Sequence, residues 1–263
     1  MDYTVAAVDE AINLLLLVAA DPGLGVTEIA RRAGITKARA FRLLTTLEQR
    51  DLVKRHGDYA SYYLSFQALR LGAAAQDQID LARHAKEALE ALGATFNEGV
   101  VVRIRDGLET VCVARWESTQ SLRVPGQIGD RRSLQAGAPS KLLLAYAPQE
   151  VLDAILASDR TRFTESTPVS DSELLQALAK VREQDYAISI GERVADTAAI
   201  AVPIRDNSGG VIASLSITTP VTRMTKDRIA RYLQELQLRA GEISKALGYR
   251  PERLDPSAEK RGT

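Results

Sequence analysis

The segment VTEIARRAGITKARAFRLLTTLEQ, residues 26–49, contains two helical patterns separated by a short turn. Residues 27–33 predict a short helix, and Gly34 directly after them suits a tight helix end, because glycine adopts left-handed backbone angles without strain. Thr36 can cap a following helix that runs to about Gln49. The residues of that helix that recur at helical spacing and are expected to face inward are Ala40, Leu43, Leu44 and Leu47.

Elements on both sides of this segment complete a small module. A preceding helix is predicted by Val8, Ile12, Leu15 and Ala19, and Asp21-Pro22-Gly23 ends it. Residues 52–55 and 62–65 predict two short strands, which the polar stretch 56–61 joins as a hairpin. Two helices joined by a turn and followed by a hairpin form a winged helix-turn-helix pattern. In that pattern the third helix can enter a DNA major groove while the hairpin lies along the backbone.

Positive charge is concentrated in this module, although the whole chain is neutral, with 34 Lys plus Arg against 34 Asp plus Glu. Between residues 28 and 55, eight basic residues stand against three acidic ones, which leaves five positive charges in excess. The eight are Arg31, Arg32, Lys37, Arg39, Arg42, Arg50, Lys54 and Arg55, and the three are Glu28, Glu48 and Asp51. Such a patch is expected where a protein neutralises phosphates.

The outward face of the third helix carries side chains suited to DNA. Arginine can bind guanine with two hydrogen bonds, threonine can bond to phosphate or base, and phenylalanine or alanine can contact a thymine methyl. We therefore predict DNA contacts from Thr27, Arg31, Thr36, Lys37, Ala38, Arg39, Phe41, Arg42, Thr45 and Arg55. A basic helical module that docks a protein instead of DNA remains the alternative.

The rest of the chain changes from helical to strand periodicity and back. Residues 66–92 predict a long, alanine-rich connector helix. Beyond it we expect strands at 100–105, 110–114, 198–204 and 211–218, and helices at 139–146, 149–157, 171–184 and 222–247. The tail from Arg250 is charged and contains proline, and we expect it to be unstructured. The fold class is therefore α+β.

Composition excludes several classes of protein. The longest apolar run, residues 14–20, is far short of the roughly 20 residues that span a bilayer. The N-terminus has no basic region typical of a secretory signal. One cysteine, Cys112, excludes an internal disulfide and a multi-cysteine zinc site, and two histidines are too few for most His-rich metal sites. We expect a cytoplasmic protein without a metal or a cofactor.

The sequence offers no mechanism for catalysis. His56 falls in the predicted hairpin and His84 on the connector, so neither belongs to the second sheet. Cys112 sits in an apolar strand, where a buried structural thiol is the usual case. The carboxylates of Glu165 and Asp171 lie in a polar loop without an evident orienting group. We predict that the protein is not an enzyme.

Two features of the second half suggest a ligand site. Backbone N–H groups at the start of the helix near Pro139 attract anions, although proline itself lacks this donor, and Lys141 adds a positive charge nearby. Ser214, Ser216 and Thr218 share one face of a strand, where hydroxyls can orient a polar ligand. The alternative is that this is an edge strand whose hydroxyls face water.

The order of these elements resembles the IclR family of bacterial transcriptional regulators. The resemblance runs from about Val5 to Leu247, with Asp51 where the family usually has glycine. The stretches that carry it are Val26 to Ile35, Arg42 to Glu48, Ser140 to Ala145, Tyr186 to Ser189 with Glu192, and Ile200 to Ile204. The family implies a DNA-binding module that pairs through its first helix and connector, and a GAF/profilin-like sensor of a small metabolite. C-terminal contacts could join such dimers into tetramers.

By position, the family's ligand pocket would be lined here by Ala138, Pro139, Ser189, Ala199, Ser216 and Thr218. Ser189 falls where related sensors can have an acidic residue, and Ala199 where a thiol can occur. We therefore expect a pocket that is less polar and roomier than one built for a two-carbon acid, and that binds an aromatic or similarly bulky organic acid or its derivative. Core packing is the favoured role for Trp116 and Met224, although either could border the cavity.

The resemblance implies four regions: a winged helix-turn-helix domain at 1–66, a connector helix at 67–92, an effector-binding domain at 93–249 and a flexible tail at 250–263. The predicted function is a ligand-responsive, DNA-binding transcriptional regulator of a catabolic operon, more in the manner of a repressor. Its predicted partners are double-stranded operator DNA, a small-molecule effector and further copies of itself as a dimer or tetramer. The alternatives are a metabolite-binding module that docks a protein, and, with less support, an enzyme.

Overall fold

A computed structural model describes residues 3–57, 61–78 and 80–250 of the chain. The chain divides into two compact units, Met1–Gln78 and Ile79–Thr263. None of the described helices is both long enough and apolar enough to cross a membrane. The residue bounds of the four predicted regions stay a prediction, and most of the predicted flexible tail, residues 251–263, lies outside the described residues.

Three helices form the core of the first unit: α1 (Ala6–Ala20), α2 (Val26–Ala33) and α3 (Lys37–Gln49). Gly34 ends α2 with φ of 68°, as its sequence position predicts. The Thr36 hydroxyl accepts a hydrogen bond from the Arg39 backbone N–H at 3.3 Å and so caps α3. The helices bury one apolar cluster of Leu14, Val18, Ile29, Ala30, Ala40, Leu44, Leu47, Val53 and Tyr62. Leu43 is only partly buried beside it.

A β-hairpin follows the helices and completes the winged helix-turn-helix. Strand β2 (Val53–His56) pairs antiparallel with β3 (Ser61–Leu64), with Val53 opposite Leu64. Part of the predicted loop, residues 58–60, lies outside the described residues. A two-residue strand, β1 (Leu24–Gly25), also pairs with β3. It was not predicted, because two residues are too short to show strand periodicity.

The stretch predicted as one connector helix is divided between the units. Helix α4 (Phe66–Gln78) belongs to the first unit, and α5 (Asp80–Phe96) packs in the core of the second. Residue 79 lies outside the described residues. The apolar side chains of α5 that join the second core are Leu81, Ala82, Ala85, Ala88, Leu89 and Leu92.

One antiparallel sheet organises the second unit. Its strands are β4 (Gly99–Asp106), β5 (Glu109–Trp116), β6 (Arg131–Ser133), β7 (Ala187–Ile190), β8 (Thr197–Arg205) and β9 (Val211–Pro220). They are arranged in the order β6-β5-β4-β9-β8-β7. Strands β6 and β7 were not predicted, because three and four residues give too little pattern. Since β9 lies between β4 and β8, the alternative that it is an edge strand facing water is wrong.

Helices cover both faces of this sheet. One core cluster joins α5 and α9 (Lys226–Ala246) to the residues of β8 and β9 that face them, such as Ile200 and Leu215. The other joins α6 (Ala138–Ala145), α7 (Gln149–Ala157) and α8 (Asp171–Gln184) to Ala199 and Ala201. Successive strand residues point to opposite faces, so this alternation assigns Ser214, Ser216 and Thr218 to the face that α6 covers. The predicted α+β class is therefore confirmed.

The last helix starts later than predicted. Residues 222–225 were expected to be helical, but Val221–Arg223 form a single 3₁₀ turn. Helix α9 begins at Lys226, where the Thr225 hydroxyl accepts a hydrogen bond from the Arg228 N–H at 3.4 Å. The Thr225 cap fixes the first residue of the helix, and the apolar pattern alone does not show where that residue is.

Candidate DNA-binding surface and effector cavity

The exposed face of α3 presents an aromatic ring between cationic side chains. Lys37, Ala38, Phe41 and Arg42 are all exposed, and Phe41 keeps 47% of its surface accessible. Within the residues that the structure describes, neither Lys37 nor Arg42 has a hydrogen bond or ion pair from its side chain. Their charges are therefore available to phosphate or base edges.

Three other arginines predicted to contact DNA already have acidic partners. Arg31 binds Glu28 at 2.6 Å, and Arg55 binds Glu48 at 2.9 Å. Arg39 forms an ion pair with Glu10 of α1. Glu28 and Glu48 are already subtracted in the local excess of five positive charges, so of these three pairs only that of Arg39 with Glu10 lowers the excess further. The pairing also explains why the pKa of Glu28 is lowered to about 2 by its hydrogen bonds to Arg31 and Arg32.

The predicted threonines have different surroundings. Thr27 is exposed in the first turn of α2. The Thr36 hydroxyl caps α3 as an acceptor and can still donate a hydrogen bond. The Thr45 hydroxyl donates to the Phe41 carbonyl at 2.8 Å, so it can only accept from a further partner. The contacts of all ten residues with DNA remain a prediction.

A cavity of about 210 Å³ lies in the second unit between the sheet and the start of α6. All six residues predicted to bind ligand line it: Ala138, Pro139, Ser189, Ala199, Ser216 and Thr218. Strand register explains this convergence, because Ser189 stands opposite Ala199 and Ala199 opposite Thr218 across three strands. Their role in ligand binding stays a prediction.

The hydroxyls in the cavity wall offer different hydrogen-bonding roles. Ser216 donates to the Val101 carbonyl at 3.1 Å and can therefore accept from a ligand. Ser189 accepts from the Ala138 N–H at 3.0 Å and can therefore donate. Ser214 is buried beside them, but it does not line the cavity.

The start of α6 differs from the predicted anion site. Glu192 accepts a hydrogen bond from the Gly137 N–H at 2.9 Å, and Ser189 already takes that of Ala138. Lys141 is buried, pairs with Glu192 and donates to the Ile188 carbonyl at 3.2 Å. It does not line the cavity. The expectation that Lys141 and these N–H groups attract the ligand is therefore wrong, because protein acceptors occupy them.

Four arginines that the sequence analysis missed also line the cavity: Arg103, Arg115, Arg132 and Arg193. Arg103 is almost fully buried, and burial lowers its pKa to about 10. Arg115 is held by the Val124 carbonyl at 2.6 Å and by Glu117 at 2.5 Å. These guanidinium groups add positive charge to the cavity wall, and the expectation of a pocket less polar than one built for a two-carbon acid stays a prediction. One sequence signal was available, since Arg103 directly follows the apolar run Val100 to Val102 in its strand, where a buried charge needs a specific reason.

Comparison with known proteins decides the family. A profile described as the IclR helix-turn-helix domain matches residues 7–57. A second one, for the bacterial transcriptional regulator IclR C-terminal region, matches residues 73–245. The chain belongs to the IclR family. It is therefore a helix-turn-helix transcriptional regulator, as the resemblance predicted.

Curated relatives of this IclR-family chain are regulators. It is 31% identical over 247 residues to the transcriptional regulator KdgR of Escherichia coli, which covers 94% of each chain. It is 30% identical to KipR of Bacillus subtilis, over 91% of this chain and 96% of that one. It is 31% identical to the repressor AllR of Escherichia coli, over 85% of this chain and 83% of that one.

Solved structures show the same architecture. An IclR transcriptional regulator from Alicyclobacillus acidocaldarius superposes with a TM-score of 0.85 at 26% identity, covering 94% of this chain and all of that one. An IclR homologue from Microbacterium hydrocarbonoxydans, solved in complex with 4-hydroxybenzoate, has a TM-score of 0.83 at 21% identity, covering 92% of this chain and 98% of that one. At that identity the second likeness concerns the fold alone.

Cys112, Trp116 and Met224, which the sequence left as possible functional residues, are buried or packed in the core. Cys112 is buried, and burial raises the pKa of its thiol, which disfavours the nucleophilic thiolate. Met224 and the partly buried Trp116 pack in the core cluster that includes α5 and α9, as expected, and neither lines the cavity. Among residues 3–57, 61–78 and 80–250, no group of three His, Cys, Asp or Glu side chains could hold a metal ion.

Proposed function

We propose that this regulator represses a catabolic operon and that a small organic acid bound in its second unit changes its affinity for operator DNA. The observation that carries the DNA-binding half is the exposed Phe41 on one face of α3, with Lys37 and Arg42 beside it, whose side chains have no partner among the described residues. An exposed aromatic side chain between free cations is costly in water and suits a DNA groove. Repression is supported by the relatives named as repressors, such as AllR.

An apolar stripe on α1 supports self-association. Val5, Val8, Ile12 and Leu16 are each more than half exposed and recur at helical spacing. On α4, Phe66 and Leu69 are similarly exposed, at 70% and 69%. Exposed apolar surface of this kind marks an interaction site, and a second copy of the chain fits the dimer that the family implies. A dimer would place two α3 helices on half-sites of a pseudo-palindromic operator.

Sedimentation of the full chain tests this association. A dimer or tetramer is expected at micromolar concentration, and Ile12→Glu is expected to shift it toward the monomer. The matched control is Leu108→Glu, which places the same charge on an exposed apolar residue outside the first unit. A monomeric wild-type protein would remove the dimer from the proposal.

The cavity supports the effector half of the proposal. Its 210 Å³ is below the roughly 300–1,000 Å³ of common ligand pockets, so a compact metabolite fits best. Guanidinium groups and hydroxyls suit an acid, and the apolar atoms of Val101, Pro139 and Ala199 suit its carbon skeleton. Within that size, we retain an aromatic or similarly bulky acid, as opposed to a two-carbon acid, as the effector class. Titration of 4-hydroxybenzoate and glyoxylate by calorimetry tests it, and binding of glyoxylate alone would contradict it.

Transmission from cavity to DNA requires the effector to bind two arrangements of the protein unequally. We propose that residues 66–92 transmit effector binding to the DNA-binding units, by altering the spacing of the two α3 helices of the dimer. The predicted cytoplasmic location and the tetramer belong to the same proposal.

Docking of a protein is the second candidate for the basic module. The ion pairs of Arg31, Arg39 and Arg55 favour it, because they leave fewer free cations for phosphate. Salt dependence separates the two: DNA binding that neutralises several phosphates weakens steeply between 50 and 200 mM salt, by roughly 10³-fold or more for six contacts.

A further inference from the structure

Two of the arginines in the cavity share a single carboxylate, and among the described residues a third, Arg193, has none. Arg103 and Arg132 both donate to Asp130 Oδ2, at 3.3 and 3.2 Å. Among the described residues, no other carboxylate forms an ion pair with Arg103, Arg132 or Arg193. Glu192 also lines the cavity, but Lys141 and the Gly137 N–H bind its two oxygens.

Arg193 lacks an acceptor for part of its guanidinium group. Its Nη1 atom is buried and has no hydrogen-bond partner within the described residues. The guanidinium carbon lies 4.5 Å from the centre of the Phe163 ring, a contact that orients the cation without accepting its N–H groups. A buried donor without an acceptor is destabilising, so this side chain needs an acceptor from outside the described residues.

The three guanidinium groups also repel one another. Burial and then the positive charge of Arg132 lower the pKa of both Arg103 and Arg193, and Asp130 opposes this in each case. Three cations around one carboxylate leave two positive charges in excess beside the cavity. Like charges in a partly buried site are costly unless anions balance them.

We propose that the effector cavity is built for a doubly charged acid, whose two negative charges balance the cluster of Arg103, Arg132 and Arg193. This inference rests on the proposed effector function and narrows its ligand class to compact dianions, such as dicarboxylates or phosphate monoesters. Arg193 is the specificity-determining residue, because it offers an unused donor. A monoacid would leave one of the two excess charges unbalanced.

Matched pairs of acids test the charge requirement on the full-length protein. Terephthalate is compared with benzoate, adipate with hexanoate, and glycerol 3-phosphate with glycerate, by calorimetry at pH 8 and constant ionic strength. Where a pair binds, the dianion is expected to bind about tenfold to a hundredfold more tightly than the monoanion, as for one added charged hydrogen bond. The pair in which the dianion binds more tightly tells whether a carboxylate or a phosphate carries the second negative charge. Equal affinities within the pairs would overturn the proposal.

Arg193→Met is expected to abolish the preference for the dianion and to leave the monoanion within about threefold. The matched control is Arg239→Met on α9, because Arg239 also has a buried nitrogen without a partner but does not line the cavity. That control is expected to keep the preference. A preference unchanged by Arg193→Met would overturn the assignment of Arg193.

Thermal unfolding tests the cluster even if none of the chosen acids binds. Inorganic phosphate at pH 8 is expected to raise the melting temperature of the wild type more than chloride of equal ionic strength does. Arg193→Met is expected to melt no lower than the wild type without phosphate and to lose the phosphate response. A lower melting temperature with an unchanged phosphate response would show that Arg193 is structural, and the proposal would fail.

Ala199→Phe separates this failure from failure of the effector cavity itself. The phenyl ring would fill the cavity that Ala199 lines. Suppose that monoanions bind the wild type, that dianions bind it no more tightly, and that Ala199→Phe abolishes the binding of monoanions. The effector cavity is then correctly assigned, and the dianion proposal is wrong. If Ala199→Phe leaves acid binding unchanged, the acids bind elsewhere and both proposals are wrong.

Discussion

The carboxylate of Glu192 binds the ammonium of Lys141, and its second oxygen accepts the Gly137 N–H at 2.9 Å. Both side chains are nearly inaccessible, at 7% for Lys141 and 11% for Glu192. The pair joins the loop after β7 to the first turn of α6 and so builds one wall of the cavity. Gly137 has φ of 93°, a conformation that favours glycine at this turn. Lys141 therefore stabilises the cavity wall through Glu192, and its own side chain does not line the cavity.

Breaking this pair from one side should destabilise the second unit. Lys141→Met is expected to cost about 3–5 kcal/mol in the free energy of unfolding, because Glu192 stays buried without its cation. The double variant Lys141→Met/Glu192→Leu is expected to recover part of that loss. Urea unfolding followed by circular dichroism measures both. A single variant that costs less than about 1 kcal/mol would show that water compensates the carboxylate.

Arg42 and Arg39 should differ in their effect on DNA binding. Arg42→Ala is expected to lower operator affinity by about fivefold to 150-fold, equivalent to roughly 1–3 kcal/mol, because its guanidinium has no partner among the described residues and can bind a base edge. Arg39→Ala is expected to have a smaller effect, since Arg39 is paired with Glu10. Fluorescence anisotropy with a labelled operator measures both. An unchanged affinity in both variants would contradict the assignment of α3 as the recognition helix.

Asp51 occupies a backbone position that suits glycine. Its φ is 54°, and its carboxylate accepts a hydrogen bond from the Ser65 hydroxyl at 2.6 Å. Asp51→Ala is expected to destabilise the protein by about 1–2 kcal/mol, because alanine lacks that acceptor and strains this backbone. Asp51→Gly is expected to stay within about 0.5 kcal/mol of the wild type, since relaxed backbone angles offset the lost hydrogen bond. Thermal unfolding measures the relative stability of the three proteins. If Asp51→Ala were as stable as Asp51→Gly, the prediction would be contradicted.

Gly93 on α5 lies directly against the indole ring of Trp116. A Cβ atom at this position would come within 2.1 Å of the Trp116 Cδ2 atom. Gly93→Ala is therefore expected to destabilise the second unit by about 1–3 kcal/mol. The control is Gly241→Ala on α9, where a Cβ atom meets nothing within 4 Å and should stabilise the helix by about 0.5–1 kcal/mol. Because Trp116 is the only tryptophan, its fluorescence reports the unfolding in urea. Equal stability of the two variants would contradict this packing.

Long patterned elements could be predicted from the sequence, and short ones could not. Helix α3 was predicted because its apolar spacing, its Thr36 cap and the preceding Gly34 agree. Strands β6 and β7 contain three and four residues, too few for a period. The late start of α9 was missed because the cap at Thr225 outweighs the apolar pattern.

Residue patterns predicted part of the candidate site, at Pro139, Ser216 and Thr218, and the resemblance supplied the other positions. All six pocket residues were carried over by position and line the cavity. Arg103 on β4, Arg132 on β6 and Arg193 after β7 converge only through the sheet and its connections. The spacing of these arginines in the sequence does not predict that they lie close together. The role of Lys141 was misassigned because a sequence does not show that Glu192 lies against it.

Fluorescence anisotropy with DNA from the region upstream of the protein's own gene tests the central claim most directly. The protein is titrated into labelled upstream DNA and unrelated DNA at several salt concentrations, with and without terephthalate. We predict selective binding that weakens steeply with salt, and an affinity that terephthalate changes at least fivefold in the wild type but not in Ala199→Phe. Binding to the upstream DNA no tighter than to unrelated DNA, by a folded and oligomeric protein, would contradict the account.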